Sequence, residues 1–269
     1  MEHSPILEPN PTSSSERKPL LELKGVTKQF GAIQALTRVD FRAAPGEVMA
    51  LVGDNGAGKS TLIKGIAGIH TFEEGEVYFD GKLVRITSPA ESSALGIEVV
   101  YQDLALADNL DVVANMFLGR EKVGTFGNLN EAAMEQLCIQ TLTELSVSTL
   151  RSVRLPVAAL SGGQRQAIAV AKAVMWNSRL VILDEPTAAL GVAQTRQVLD
   201  LVRRLADRGL TVVLISHNLH DIFEVADRIT VLRLGQIVDE LETKQVTQQE
   251  VVHAITAGTL KHVPGMADS

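Results

Sequence analysis

The stretch GDNGAGKST, residues 53–61, constrains this chain more than any other. It matches G-x-x-x-x-G-K-[ST], and its flanks are what that pattern needs. GEVMALVG (46–53) is a near-continuous apolar run that reads as a buried strand, and KSTLIKGIAGIH (59–70) places Leu62, Ile66 and Ile69 on one helical face. A strand that turns through glycines into a helix aims successive backbone N–H groups, and the positive end of the helix, at one point. That is a cradle for the phosphates of a nucleotide. Gly53, Gly56 and Gly58 permit backbone angles and close approach that a side chain would block. Lys59 sets a point charge on the β- and γ-phosphate oxygens, and Ser60 offers a hydroxyl to Mg²⁺. Asp54, Asn55, Ala57 and Thr61 complete the loop and count with it as nucleotide-binding.

A second segment belongs to the same chemistry. LVILDEP (180–186) is an apolar strand that ends in two carboxylates. Adjacent acids at the end of a buried strand are costly unless a cation or a proton is there to be handled. Asp184 can reach the Mg²⁺ shell; Glu185 points elsewhere and can activate an attacking water.

The rest of the chain alternates strands and helices. LLELKGVTKQF (20–30), the stretch after Gly31, and GEVYFDGKLV (75–84) read as antiparallel ribbons. From Ser88 onward SPAESSALG, LDVVANMFLG and NEAAMEQLCIQTLTEL read as helices, an inserted helical lobe over about 88–165. Then come a helix (GGQRQAIAVAKAVMW), the LVIL strand, a helix (VAQTRQVLDLVRRLADRG), a strand (LTVVLISH), a helix (HDIFEVADR), two strands (ITVLRLGQIVDE) and a Thr-capped helix (TQQEVVHAITAG). The expected fold is α/β: a parallel-sheet core with right-handed crossovers, an N-terminal antiparallel β subdomain and the helical lobe. One domain over 20–258 is expected, with a disordered Pro/Ser-rich tail at 1–19 and a short tail at 259–269.

Composition removes several function classes. The net charge is −7, where a sequence-independent nucleic-acid binder is usually basic. Aromatic residues make up 4%, too few for stacked single-strand binding. No nucleic-acid partner is expected. The single cysteine, Cys138, allows no intrachain disulfide and fits a reducing compartment. No apolar run approaches the roughly 18 residues of a membrane span, and the first residues lack the apolar core of a signal peptide. Work at a membrane would require docking on another chain.

LSGGQ at 160–164 has no place in a lone phosphate site. With it, the motifs stand in the order of the ATP-binding cassette (ABC) transporter nucleotide-binding subunit, which residues 20–258 resemble. In that family LSGGQ contacts the γ-phosphate of an ATP held by the opposite subunit. The resemblance implies that Ser161, Gly162, Gly163 and Gln164 complete the phosphate loop of a second copy, so that a homodimer sandwiches two ATP molecules. It also implies that Gln102, in VVYQDLAL, is the Q-loop residue that reaches Mg²⁺ and the water. His217, in LISHNL, resembles the switch histidine that holds the γ-phosphate, and Phe30, in KQFGAIQAL, the aromatic that stacks on adenine. AALG (188–191) sits at the D-loop, where many members end in Asp and this chain has Gly191. The implied catalytic set is Glu185, His217 and Gln102; the implied metal set is Ser60, Gln102 and Asp184; the implied cofactors are ATP and Mg²⁺.

The finer resemblance is to subunits of bacterial monosaccharide importers of the ribose, xylose and fructose group. GDNGAGKSTLIKGIAGIH, YQDLALADNL and EPTAALGVAQT carry it. It implies an ATP-hydrolysing subunit beneath an integral-membrane permease dimer, at the cytoplasmic face of the membrane, served by an extracytoplasmic sugar-binding protein, with fructose the favoured sugar. LALADNLDVVANMFLG (104–119) is apolar at helical spacing, and around Leu104, Leu106 and Leu110 it would present a surface to the permease. The alternative is an ABC ATPase for another cargo, such as an amino acid, a lipid or an exported compound. A third class, soluble ABC ATPases of ribosomes or DNA, usually carries tandem cassettes, coiled coils or zinc-binding cysteines, which this sequence lacks.

Overall fold

The structure, a computed structural model, describes residues 18–124, 127–147 and 150–258. Nearly all of the two expected tails, residues 1–17 and 259–269, lies outside the described residues.

Two sheets stack on each other. The N-terminal one is antiparallel. Strands β1 (Leu21–Phe30) and β2 (Ile33–Ala43) form a hairpin, and β4 (Glu74–Phe79) with β5 (Lys82–Val84) extends it in the order β2-β1-β4-β5. Alternating residues of β1, Leu21, Leu23 and then Val26, turn inward. The second sheet has the order β10-β9-β3-β8-β7-β6, built from β3 (Val48–Val52), β6 (Ile97–Val100), β7 (Leu180–Asp184), β8 (Thr211–Ile215), β9 (Arg228–Arg233) and β10 (Gln236–Glu242). Its pairs are parallel except β9 with β10.

The central strands are covered on both sides, which is why they are apolar apart from Thr211 at the start of β8 and Asp184 at the end of β7. Val212 and Leu214 of β8 face one core together with Phe117, Ile168 and Leu199. Val213 and Ile215 face the other, with Leu21, Leu36 and Ile63. The first core lies under α3 (Val112–Phe117), α4 (Glu131–Glu144), α5 (Gly162–Val174) and α6 (Val192–Asp207); the second lies between the sheets and includes α1 (Lys59–Ile66). A third, around Ile222, Ile229 and Val251, seats α7 (Leu219–Val225) and α8 (Gln248–Ala257). Side chains of Ser88, Asp111, Asn130, Ser161, Asn218 and Thr247 cap helix N-termini, and the Thr247 cap read in the sequence is among them.

Three elements differ from expectation. The helix after the phosphate loop stops at Ile66, and Ile69 is 52% exposed, off the face it was expected to share. Gly68 takes φ +73 and the chain closes a Schellman motif: Ile69 N–H donates to Lys64 O at 2.9 Å and Gly68 N–H to Gly65 O at 3.1 Å. A Cβ on Gly68 would lie 2.3 Å from Ser88 O, so tertiary contact demands glycine there. Within 88–165, α2 (Pro89–Ala94) is followed by β6, which pairs with β7 in the core sheet; the helical part begins only after it. And 104–110, expected to continue the helical spacing, is a loop. Buried Asn115 organises it, accepting from Ala107 N–H at 2.7 Å and donating to the carbonyls of Ala107, Leu110 and Asp111 at 3.0–3.2 Å. Those bonds replace the helical ladder locally.

Candidate functional site

A cleft of about 710 Å³ opens at the C-terminal ends of β3, β7 and β8. The 53–61 loop forms its floor, and Gln102, Asp184, Glu185 and His217 line it. The residues that four separate stretches of sequence pointed to therefore meet in one place.

The loop owes its shape to two glycines. Gly53 has φ +155, and a Cβ there would fall 2.1 Å from Leu232 O; on Gly58, φ +107, it would fall 2.8 Å from Ala35 O. The loop thus rests on the β9–β10 turn and the start of β2, and Gly235 N–H fastens the turn to Ala57 O at 2.9 Å. α1 begins at Lys59 with no side-chain cap and no acid in its first turn, which leaves its first N–H groups for an anion. Lys59 Nζ donates to Gly53 O at 2.7 Å and Asp54 O at 3.0 Å. Burial holds the Lys59 pKa below the ordinary lysine value, against the pull of Glu185, Asp184 and Asp54.

Asp184 ends β7 in line with the strand. Burial, and then the neighbouring Glu185 charge, raise its pKa above the ordinary aspartate value, while Lys59 pulls it down. Glu185 has φ +51, a left-handed conformation unusual for a non-glycine residue, locked by its N–H donating to Ile215 O at 2.9 Å. That turn swings its carboxylate toward His217, whose Nδ1 lies 2.8 Å from Oε2. The His217 side chain is 77% exposed at the rim, whereas that of Glu185 is 17% exposed. Beneath the pair, buried Asp221 accepts from Thr187 Oγ1 at 2.7 Å and from Asn218 Nδ2 at 2.9 Å. One carboxylate so ties the loop after Glu185 to the loop after His217.

The structure keeps other expected residues apart. Phe30 ends β1 and is not among the cleft lining, but it pairs across the hairpin turn with Ile33, which is. Ser161, Gly162, Gly163 and Gln164 lie outside the cleft, at the N-terminus of α5. Ser161 and Gln164 form a reciprocal cap: Gln164 N–H donates to Ser161 Oγ at 3.3 Å, and Ser161 N–H to Gln164 Oε1 at 2.9 Å. A Cβ on Gly162 would lie 2.9 Å from Leu190 Cδ2, so this helix start packs closely on the 188–191 loop. Gly191 begins α6 without a side-chain cap. Sequence reading missed Ile33, Gln34 and Ala35 in the cleft wall and the Thr187–Asp221–Asn218 bridge. Nothing short of the strand register places the first three there.

The residues present fit a nucleotide and Mg²⁺ by their chemistry. The cradle has no room for a side chain at Gly53 or Gly58, and Asp184 holds a charge that burial disfavours, which a divalent cation would relieve. A raised carboxylate pKa means the folded chain binds that proton more tightly than the unfolded chain. Its contribution to stability is full below the unfolded value and is lost as pH rises through the folded one. Asp184→Asn is therefore expected to raise the melting temperature of the nucleotide-free chain at pH 7 by about 2–4 °C. The gain over the wild type should shrink as pH falls toward 4, which differential scanning fluorimetry at both pH values checks.

Known proteins bear the same pattern. The family model described as ABC transporter matches residues 36–188. A fructose import ATP-binding protein of Rhizobium meliloti is 47% identical over 246 residues, covering 89% of this chain and 95% of that protein. A xylose/arabinose import ATP-binding protein of Sulfolobus acidocaldarius is 44% identical, covering 91% and 96%. Against a ribose import ATP-binding protein of Caldanaerobacter subterraneus, at 38% identity, this chain spans 50% of the relative's length. Among solved structures, a nucleotide-free ATP-binding cassette from an ABC transporter superposes with a TM-score of 0.73 at 27% identity, covering 84% of this chain and 92% of that one. A dimeric cassette in a post-hydrolysis state bound to ADP and Pi gives 0.69 at 27% identity, covering 83% and 98%.

Proposed function

Because this chain belongs to the ABC transporter family and is an ABC-type ATPase, we propose that it energises import of a monosaccharide through a separate membrane permease. The observation that carries this reading is the split of its machinery. The phosphate loop, both carboxylates, Gln102 and His217 share one cleft, while Ser161–Gln164 lies outside it on the same chain. A second copy, turned about a two-fold axis, supplies the missing half. The solved dimer of a similar cassette supports that arrangement.

Hydrolysis then follows from charge and position. The N–H groups of 53–61 and Lys59 hold the β- and γ-phosphates; the Lys59 bonds to Gly53 O and Asp54 O are exchanged for bonds to phosphate. Ser60, Asp184 and Gln102 would hold Mg²⁺, which when bound neutralises charge on the phosphoryl oxygens. Glu185 orients the water and takes its proton, and His217, aligned by its bond to Glu185, sits over the outer phosphate. Ser161 and the start of α5 in the second copy cap the other side of that phosphate. Phe30 stacks on adenine. The product of the cycle is closure and opening of the dimer.

The permease would seat on a groove of about 250 Å³ between β6 and the helical lobe, lined by Leu104, Met116, Arg120, Lys172 and Trp176 among others. Leu104 is half-buried there; Leu106, like Leu104 packed against the lobe core, and Leu110 are half-buried outside the groove lining. Among the described residues no helix is long and apolar enough to cross a membrane, so the apolar partner must supply the span. Fructose is favoured because the 47% identical relative, nearly all of which is covered, bears that name. On this reading, selectivity for the sugar lies with the permease and its extracytoplasmic binding protein.

Affinity purification from detergent-solubilised membranes tests this. The expected result is a polytopic permease in near-equal amount, whose companion binding protein prefers fructose over xylose and ribose. Leu104→Glu should lower permease capture at least about tenfold, as loss of an interface hot spot does, with ATP binding intact. Recovery only with ribosomes or DNA-repair proteins would sink the importer reading.

A further inference from the structure

His70 has no part in the scheme above. Its Nε2 lies 2.9 Å from the carbonyl oxygen of Thr61, the last residue of the phosphate loop. A carbonyl only accepts, so that nitrogen carries the proton. The other side of the ring meets Phe30 edge to face, with centroids 5.4 Å apart and planes at 88°. Lys28 adds a second contact: its ammonium lies 5.1 Å from the Phe30 centroid, and is itself fixed by Thr71 O at 2.9 Å and Glu73 Oε1 at 2.6 Å. Phe30 remains 48% exposed, beside Ile33 at the cleft wall.

An exposed phenylalanine at a hairpin end is free to rotate, and ordering it on ligand binding weakens affinity. Here the ring is already ordered from the protein side. His70 also spans from that ring to the phosphate loop, and a nucleotide's base and phosphates sit a set distance apart. We infer that His70 is a positioning residue that braces Phe30 as the platform for the purine base and sets its spacing from the phosphate cradle. This rests on the reading of Phe30 as the base-stacking aromatic.

The discriminating probe is a ligand with phosphates and no base. Mg·ATP and inorganic tripolyphosphate with Mg²⁺ are titrated by calorimetry into the full chain and its variants. His70→Gln can still donate to Thr61 O but has no ring. It should weaken ATP about three- to tenfold and leave tripolyphosphate within about twofold. His70→Phe keeps a ring edge without the hydrogen bond and should stay closer to wild type for ATP. Phe30→Ala should cost ATP about fivefold to a hundredfold, and adding His70→Gln to it should cost little more, because the two act through one contact. If His70→Gln weakens both ligands alike, or His70→Phe binds ATP worse than His70→Gln, His70 serves the phosphate loop and the inference fails. If Phe30→Ala binds ATP as wild type does, the Phe30 reading itself fails.

Discussion

Glu185→Gln is expected to slow ATP hydrolysis by about two to three orders of magnitude while leaving ATP binding within a few-fold of wild type, the loss typical of removing a positioned general base. The amide is the same size and keeps an acceptor oxygen for His217 Nδ1, so the strained turn at φ +51 and the bond to Ile215 O should persist. What disappears is the capacity to take a proton from water. ATP then stays intact in the closed site, and a dimer held by two unhydrolysed nucleotides should accumulate, seen as a doubled mass by light scattering on adding Mg·ATP. Full activity in this variant would remove Glu185 from the role of base and shift attention to His217.

The second large effect concerns how two chains share two sites. Ser161→Arg places a long cation where the start of α5 should meet the partner's nucleotide, and also removes the cap on Gln164 N–H. Loss of a cap alone destabilises a helix by about 1 kcal/mol, so a drop in activity by itself would be ambiguous. Pairing it with Lys59→Ala resolves this. With one substitution on each chain of a dimer, a shared-site architecture puts both lesions on the same ATP and leaves the other site whole. With both on one chain, each site carries one lesion. The first dimer should hydrolyse ATP at least about tenfold faster than the second, since losing one stabilising donor group typically costs that or more. If each chain works alone, the order reverses.

Much of the site was legible because its chemistry sits on short local motifs. GDNGAGKST predicts its own loop, since glycine is required by contacts with Leu232 O and Ala35 O and no other residue fits. LVILDEP announces a buried strand with acids at its end, and β7 is that strand. Other features depend on distant neighbours. α1 stops at Ile66 because Gly68 abuts Ser88, twenty residues on in sequence and adjacent in space. The 104–110 loop departs from a helix because a single buried Asn115 offers its backbone better partners. Ile33, Gln34 and Ala35 reach the cleft through the β1–β2 register, and Asp221 joins Thr187 to Asn218 across 34 residues. Hydropathy periodicity carries none of this; it reports which face of an element is buried and is silent on what that face touches.

The close packing of Gly162 on Leu190 has a consequence for the proposed dimer. Leu190 lies five residues past Glu185, the proposed general base, while Gly162 belongs to the half-site proposed for the other nucleotide. In the proposed dimer each chain would thus carry one packed contact between the segment that bears Glu185 and the half-site it offers its partner. Two such contacts, one on each chain, would lie between the two nucleotides of that dimer.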